Sequence, residues 1–256
     1  MTPDPRQAII TSYLKRLRLP AMHRDYLTLA REAEANNAGN LDYLRALLEH
    51  EVTQRDESAM HYRLRLAQFP YEKRLEDFDC SVVPTLQPPR LAELARCTFI
   101  DQRENLIFVG PSGLGKTHLL ISLGRAACLQ GHRVLFRTAA ALASELEQAQ
   151  AEHRLPKLLR SYQKFSLILV DELGYLPFAR SVAQLLFQFF SERYERASVA
   201  ITTNLDFAHW TEIFGDERMT AALLDRLTHR SHILVLEGES YRFRHSLKQN
   251  EKTGKS

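Results

Sequence analysis

The chain has 256 residues, enough for one large domain or two modest ones. Apolar residues make up 45% and charged residues 25%, the ordinary balance of a soluble globular protein. A net charge of +3 gives no global argument for nucleic acid, and no apolar run approaches membrane-spanning length. The first residues carry no signal-peptide core, and Cys80, Cys97 and Cys128 show no paired spacing, so we expect reduced thiols in a cytoplasmic protein.

The first 76 residues read as all-helical. Ile9, Ile10, Tyr13, Leu14 and Leu17 form an amphipathic period that ends at Pro20, and Met22, Tyr26, Leu29, Ala30 and Ala33 continue it. Asn36 to Asn40 is a polar loop. A longer helix follows, with Leu41, Leu44, Leu47, Leu48, Val52 and then Leu64 and Ala67 on its apolar side. Its other side carries Arg45, Arg55, His61, Arg63 and Arg65. A solvated face and a face against DNA phosphates fit that pattern equally well, because Glu49, Glu51, Asp56 and Glu57 interrupt the bases. Phe69-Pro70 ends the helix. Residues 70–100 read as a connector with a short helix from Arg90 to Cys97, and the domain boundary is expected near residue 76.

From residue 104 the pattern alternates. Apolar strands are expected at Leu106–Val109, Val134–Phe136, Leu167–Val170, Val199–Thr202 and Ile233–Leu236. Helices are expected at His118–Leu129, Ala139–Ala149, Leu158–Lys164, Ala183–Tyr194 and Ala221–His229. This alternation predicts an α/β domain whose parallel sheet is flanked by helices on both faces and joined by right-handed crossovers.

The first strand runs into Gly110-Pro111-Ser112-Gly113-Leu114-Gly115-Lys116-Thr117, a complete G-x-x-x-x-G-K-[ST] phosphate loop in a strand–loop–helix setting. Its glycines let backbone N–H groups converge on one anion, and the helix opening near His118 adds its positive end. Lys116 has the reach for β- and γ-phosphates, and the Thr117 hydroxyl suits Mg²⁺. The third strand ends in Asp171-Glu172. At the carboxyl edge of a parallel sheet Asp171 would lie beside the loop and hold Mg²⁺ through waters, and Glu172 would polarise an attacking water. The stretch Val199 to Asn204 ends another strand in polar groups, and Asn204 is either a turn or helix-capping residue or an amide that orients that water. In Leu223–Arg230 the leucines form one stripe and leave Arg226 and Arg230 on a different face. Such an arginine is either a solvated charge or a finger for a neighbouring subunit's γ-phosphate, with Asp225 as a conjectural orienting partner.

Taken together, GPSGLGKT, LILVDELGYLP, LLFQFFSERYER, ITTN, FGDERMTAALLDRLTHR and SYRFR follow the order found in the IstB-like ATP-binding proteins. LKRLRLPAMHRDYLTLA and AQFPYEKRLEDFD resemble the same family's helical domain and connector. The resemblance covers about residues 8–248. It implies an AAA+ ATPase domain over residues 77–248, a helical N-terminal domain over 1–76 for assembly and contact with DNA or transposase, and a disordered tail over 249–256. It also implies ATP and Mg²⁺ as cofactors. Nucleotide would be bound by Gly110 to His118, metal by Thr117 and Asp171. Lys116, Glu172, Asn204 and Arg226 would be catalytic, and Arg242 would be a sensor-2-like contact. The implied partners are duplex DNA, a cognate transposase and further copies of the chain.

One departure from the resemblance is the stretch Gln54 to Arg65, where relatives carry a denser arginine run. The alternative function is a replicative helicase loader like DnaC, which the nucleotide motifs do not separate from the first. A small-molecule kinase would need a lid and acceptor pocket, and residues 139–164 resemble neither.

Overall fold

In the computed structural model, residues 5–175, 177–238 and 240–241 are described. They fall into two compact units, one up to Tyr62 and one from Arg63 on.

The first unit is helical. It comprises α1 (Pro5–Arg16), α2 (Pro20–Ala35) and most of α3 (Asn40–Ala67). Pro20 suits the first turn of α2, where no N–H is needed. Leu19 offers no capping side chain, so the N–H groups at the start of α2 need an acceptor from elsewhere. Glu51 of α3 supplies it. Its carboxylate accepts from Ala21 N at 2.9 Å and Met22 N at 3.1 Å, and from Arg55 Nε at 2.9 Å. Arg55 in turn donates to the Arg18 carbonyl. Tyr43 adds a bond from its hydroxyl to the Tyr26 carbonyl at 3.0 Å. Arg55, a candidate DNA contact by sequence, is thus committed inside its own unit.

The second unit holds a five-stranded sheet. After the last turn of α3 come a 3₁₀ turn (Cys80–Val82), α4 (Pro88–Ala95) and α5 (Thr98–Asp101). Then β1 (Asn105–Val109), α6 (Lys116–Leu129), β2 (Val134–Thr138), α7 (Ala139–Ala151), α8 (Leu155–Tyr162), β3 (Leu167–Asp171), α9 (Arg180–Arg193) and β4 (Ser198–Thr203) alternate. A second 3₁₀ turn (Phe207–His209), α10 (Trp210–Phe214), α11 (Glu217–Thr228) and β5 (Ser231–Val235) follow. All strand pairs are parallel, in the order β2-β3-β4-β1-β5.

Alternation along the strands builds two cores. Ile107, Val109, Ile168 and Val170 point to the side of α7, α8, α9, α10 and α11, whereas Leu106, Phe108, Leu167 and Leu169 point to the side of α4, α5 and α6. The sheet is therefore apolar on both faces, which is why its strands read as continuous apolar runs. Each expected strand is present to within one or two residues. The helix expected at Leu158–Lys164 starts earlier, at Leu155, because Pro156 presets its first turn. Two short helices, α5 and α10, have no counterpart in the expected set, since four or five residues are too few for a helical period to show.

Burial pushes the Glu51 carboxyl up, but the Met22 and Ala21 N–H groups and Arg55 outweigh it and leave the group below its usual range. Its contribution to stability is therefore present above the unfolded value of about 4.3 and is lost as pH falls through the depressed folded value. Replacing it with glutamine (Glu51→Gln) should destabilise the N-terminal unit by about 1–3 kcal/mol near neutral pH, with the difference shrinking toward acid. Chemical denaturation followed by circular dichroism at pH 7 and pH 3 checks both parts.

Candidate functional site

The carboxyl edge of the sheet is where the chemistry-bearing residues meet. Strand order explains why. β4 lies between β1 and β3, so the ends of three strands that are far apart in sequence become neighbours. β1 delivers the loop Gly110–Gly115, and α6 begins at Lys116. Two glycines in it are forced. Gly115 has φ +82°, and a Cβ there would come within 2.7 Å of the Phe78 ring. At Gly110 a Cβ would lie 2.3 Å from the Leu236 carbonyl oxygen. A side chain at Gly110 would collide with backbone, and one at Gly115 would be strained and would have to displace the Phe78 ring.

Lys116 is buried under this loop. Its Nζ donates to the carbonyls of Gly110 at 2.6 Å and Pro111 at 2.7 Å. The Thr117 hydroxyl donates to Asp171 Oδ1 at 3.0 Å, bridging 54 residues of sequence. Asp171 Oδ1 also accepts from the Thr202 hydroxyl at 2.5 Å. Thr202 Oγ1 accepts from Glu172 N at 2.8 Å, and the Thr202 carbonyl accepts from Leu173 N at 2.9 Å. Asp171 is only 4% exposed. Burial pushes its carboxyl upward, and that effect exceeds the opposing pull of Thr202, Thr117, the Glu172 N–H and Lys116.

Of these groups, Lys116, Thr117, Glu172 and Thr202 border a cavity of about 350 Å³. Ser112 to His118 form one wall, and Glu172, Thr202 and Asn204 stand at the strand ends. Glu172 is exposed and sits in the left-handed region at φ +60°. The opposite wall comes from the connector, through Tyr71–Lys73 and Asp77–Asp79. His118 is turned to that connector. Its ring meets Phe78 edge-on with centroids 5.5 Å apart, and its Nε2 is 2.8 Å from the Arg74 carbonyl. Arg125 of α6 adds an ion pair to Glu72 at 2.7 Å. Tyr241 N donates to the Gly113 carbonyl at 3.0 Å, which brings the chain after β5 onto the loop.

The structure thus brings Ser112–His118, Asp171, Glu172 and Asn204 together. Gly110 and Pro111 lie behind them, with their carbonyls on the Lys116 amine. Arg226 is elsewhere. It donates to Ser191 Oγ at 2.8 Å and lies over the Phe187 ring at 4.7 Å, so α9 orients it rather than Asp225. Arg230 is exposed. Arg242 lies outside the described residues. Sequence reasoning missed the connector wall, Tyr241 and Thr202. Thr202 was within sight in the run ending at Asn204, but only the sheet order shows that it faces Asp171. Among the described residues, no group of three or more His, Cys, Asp or Glu converges as a metal cage would require. No described helix is long and apolar enough to cross a membrane.

A phosphate loop at the end of β1, a carboxylate pair at the end of β3 and a five-stranded parallel sheet define a P-loop NTPase fold of AAA+ type. The chain belongs to the IstB-like ATP binding proteins, a family that matches residues 12–249. It is 39% identical to the ATP-binding protein of insertion sequence IS5376 from Geobacillus stearothermophilus, over 95% of this chain and 97% of that one. It is equally 39% identical to the corresponding protein of insertion sequence IS21 from Pseudomonas aeruginosa, over 94% and 89%. Among solved structures it superposes on AMPPCP-bound DnaA from Aquifex aeolicus with a TM-score of 0.51 and 21% identity. That match covers 69% of this chain and 55% of DnaA, so the chain spans about half the initiator's length.

Substituting alanine at Gly115 adds a Cβ at positive φ and drives it into Phe78, displacing both the loop and the connector wall. Gly115→Ala should weaken binding of a fluorescent ATP analogue by about tenfold or more, roughly the effect of 1.4 kcal/mol, while the far-ultraviolet circular dichroism stays that of the parent.

Proposed function

We propose that this protein is an ATP-dependent AAA+ ATPase that binds duplex DNA largely without sequence preference, assembles there as a homo-oligomer, and recruits and stimulates a cognate transposase. The observation that carries the enzymatic part is the Thr117–Asp171 hydrogen bond beside Glu172 on the cavity wall. It joins the phosphate-loop hydroxyl to a buried carboxylate and leaves the next carboxylate free to face a water. The insertion-sequence relatives support the transposition context.

In this reading the loop amides and the N-terminus of α6 hold the phosphates, and Lys116 exchanges its carbonyl partners for β- and γ-phosphate oxygens. Thr117 and Asp171 offer the hard oxygen donors that Mg²⁺ takes along with phosphate oxygens and waters. The cation would neutralise charge on the phosphates when bound. Glu172 accepts the proton of the attacking water, and Asn204 orients that water. Arg226 is held against α9, outside its own cavity, and so reaches the γ-phosphate of a neighbouring subunit. In domain terms, residues 77–248 are the ATPase, with Tyr71–Lys73 of the connector added to its cavity wall, and the helices of residues 1–76 serve assembly and partner contact. The three free thiols suit a reducing cytoplasm. Contacts to DNA would be to phosphates and would weaken steeply with salt.

Electron microscopy of the Glu172→Gln variant with duplex DNA tests the whole reading. The variant should bind ATP, hydrolyse it about 10²-fold or more slowly than the parent, and form longer-lived ATP-dependent rings or filaments on DNA. Parent-like turnover would remove Glu172 as the base, and monomers that ignore DNA would sink the assembly claim. Arg226→Ala should lower turnover by about 10³-fold while each protomer keeps its nucleotide affinity. Normal turnover there would end the trans-finger assignment.

A further inference from the structure

We propose that Thr202 is the positioning residue that sets the geometry of Glu172, and so couples the end of β4 to the hydrolytic water. The proposal rests on the hydrolysis reading above and goes beyond it, because the candidate water-orienting group there was Asn204 alone, just past β4.

Three bonds converge on this one residue. Its hydroxyl donates to Asp171 Oδ1 at 2.5 Å. The same oxygen accepts from Glu172 N at 2.8 Å. Its main-chain carbonyl accepts from Leu173 N at 2.9 Å. Three consecutive residues of the acidic turn are therefore fixed by a single neighbour. The hydroxyl is used in a definite direction, since its one proton goes to the carboxylate and a lone pair takes the amide. Thr202 is 1% exposed, so no water substitutes for either bond.

The turn needs such a device. β3 ends at Asp171, and Glu172 departs from the strand at φ +60°, where a residue with a Cβ is strained. An exposed Glu172 lacks packing to hold that conformation. The Glu172 N–H bond to Thr202 and the following Leu173 N–H bond hold it instead, with the Leu173 side chain buried. The register makes the choice of residue specific. Val170 pairs with Ile201, so the next residue of β3 faces Thr202 and not Thr203. On the other side Thr202 pairs with Phe108, one residue before β1 ends in the phosphate loop. Thr202 thus stands between the loop strand and the carboxylate strand, and its hydroxyl shares Asp171 Oδ1 with Thr117. A shift of β4 relative to β3 moves the Glu172 backbone directly.

The test compares Thr202→Val, which keeps the shape and removes the hydroxyl, with Thr202→Ser, which keeps the hydroxyl. Thr202→Val should leave the ATP dissociation constant within about threefold and lower kcat by about 10–100-fold, the scale of a misplaced catalytic group. Hydrogen exchange of the Glu172 amide should quicken by about tenfold or more, and Thr202→Ser should restore both readouts. A Thr202→Val protein with parental kcat and a protected Glu172 amide overturns the proposal. So does a loss of activity that Thr202→Ser fails to restore while it melts like the parent. If the parent itself shows no turnover, the hydrolysis reading fails, and exchange decides this one alone: unchanged protection at Glu172 refutes the positioning role, and faster exchange rescued by serine keeps it.

Discussion

A carboxylate that is 4% exposed needs donors, and Asp171 finds them on two other elements of the sheet edge. One is the Thr117 hydroxyl on α6, the other the Thr202 hydroxyl on β4. Most of the second unit's architecture serves to bring those donors there. The insertion of β4 between β1 and β3 makes the two hydroxyls and the carboxylate neighbours although they span 85 residues of chain. The alternating cores on both faces fix the register, since a one-residue slip would exchange the apolar sets between faces and turn Thr202 away from Asp171. The bond geometry at the site is thus maintained by the bulk of the fold and not by local loops.

The connector shows how a segment without regular structure becomes part of a site. Phe69, Leu75 and Phe78 pack on the core that holds α6, and Glu72 pairs with Arg125. Phe78 then occupies the space above Gly115 that a side chain would need. The phosphate loop and the connector are mutually dependent. The glycine permits the approach of the ring, and the ring together with His118 walls the cavity. A loop of this kind carries function because a rigid scaffold places it.

Strand positions, sheet class, the phosphate loop and the Asp171–Glu172 pair were legible in the sequence because each has a local signature: apolar runs, glycine spacing, a strand ending in acids. Thr202, the connector wall and the Tyr241 contact were not. They depend on which strands are neighbours and on where a proline-rich segment folds back, and neither leaves a periodic trace. The same holds for Glu51. In sequence it interrupts a run of basic residues, and in the structure it caps α2 from α3 and engages Arg55. Charge counting along a helix assumes that every charge faces solvent. A single buried carboxylate with three donors breaks that assumption and engages the Nε of an arginine that stays at the surface.

Arg226 brings these threads to the question of what the site lacks. Its guanidinium is fixed by Ser191 and by the face of Phe187, both on α9. That arrangement costs side-chain freedom and gives a presented, oriented cation away from its own cavity. The cavity lined by Lys116, Thr117 and Glu172 has Lys116 as its phosphate-loop cation, already engaged with two carbonyls. Under the proposed function Arg226, which stands outside that cavity, would supply a second positive charge to the γ-phosphate of another subunit. Nucleotide turnover would thereby require two protomers side by side.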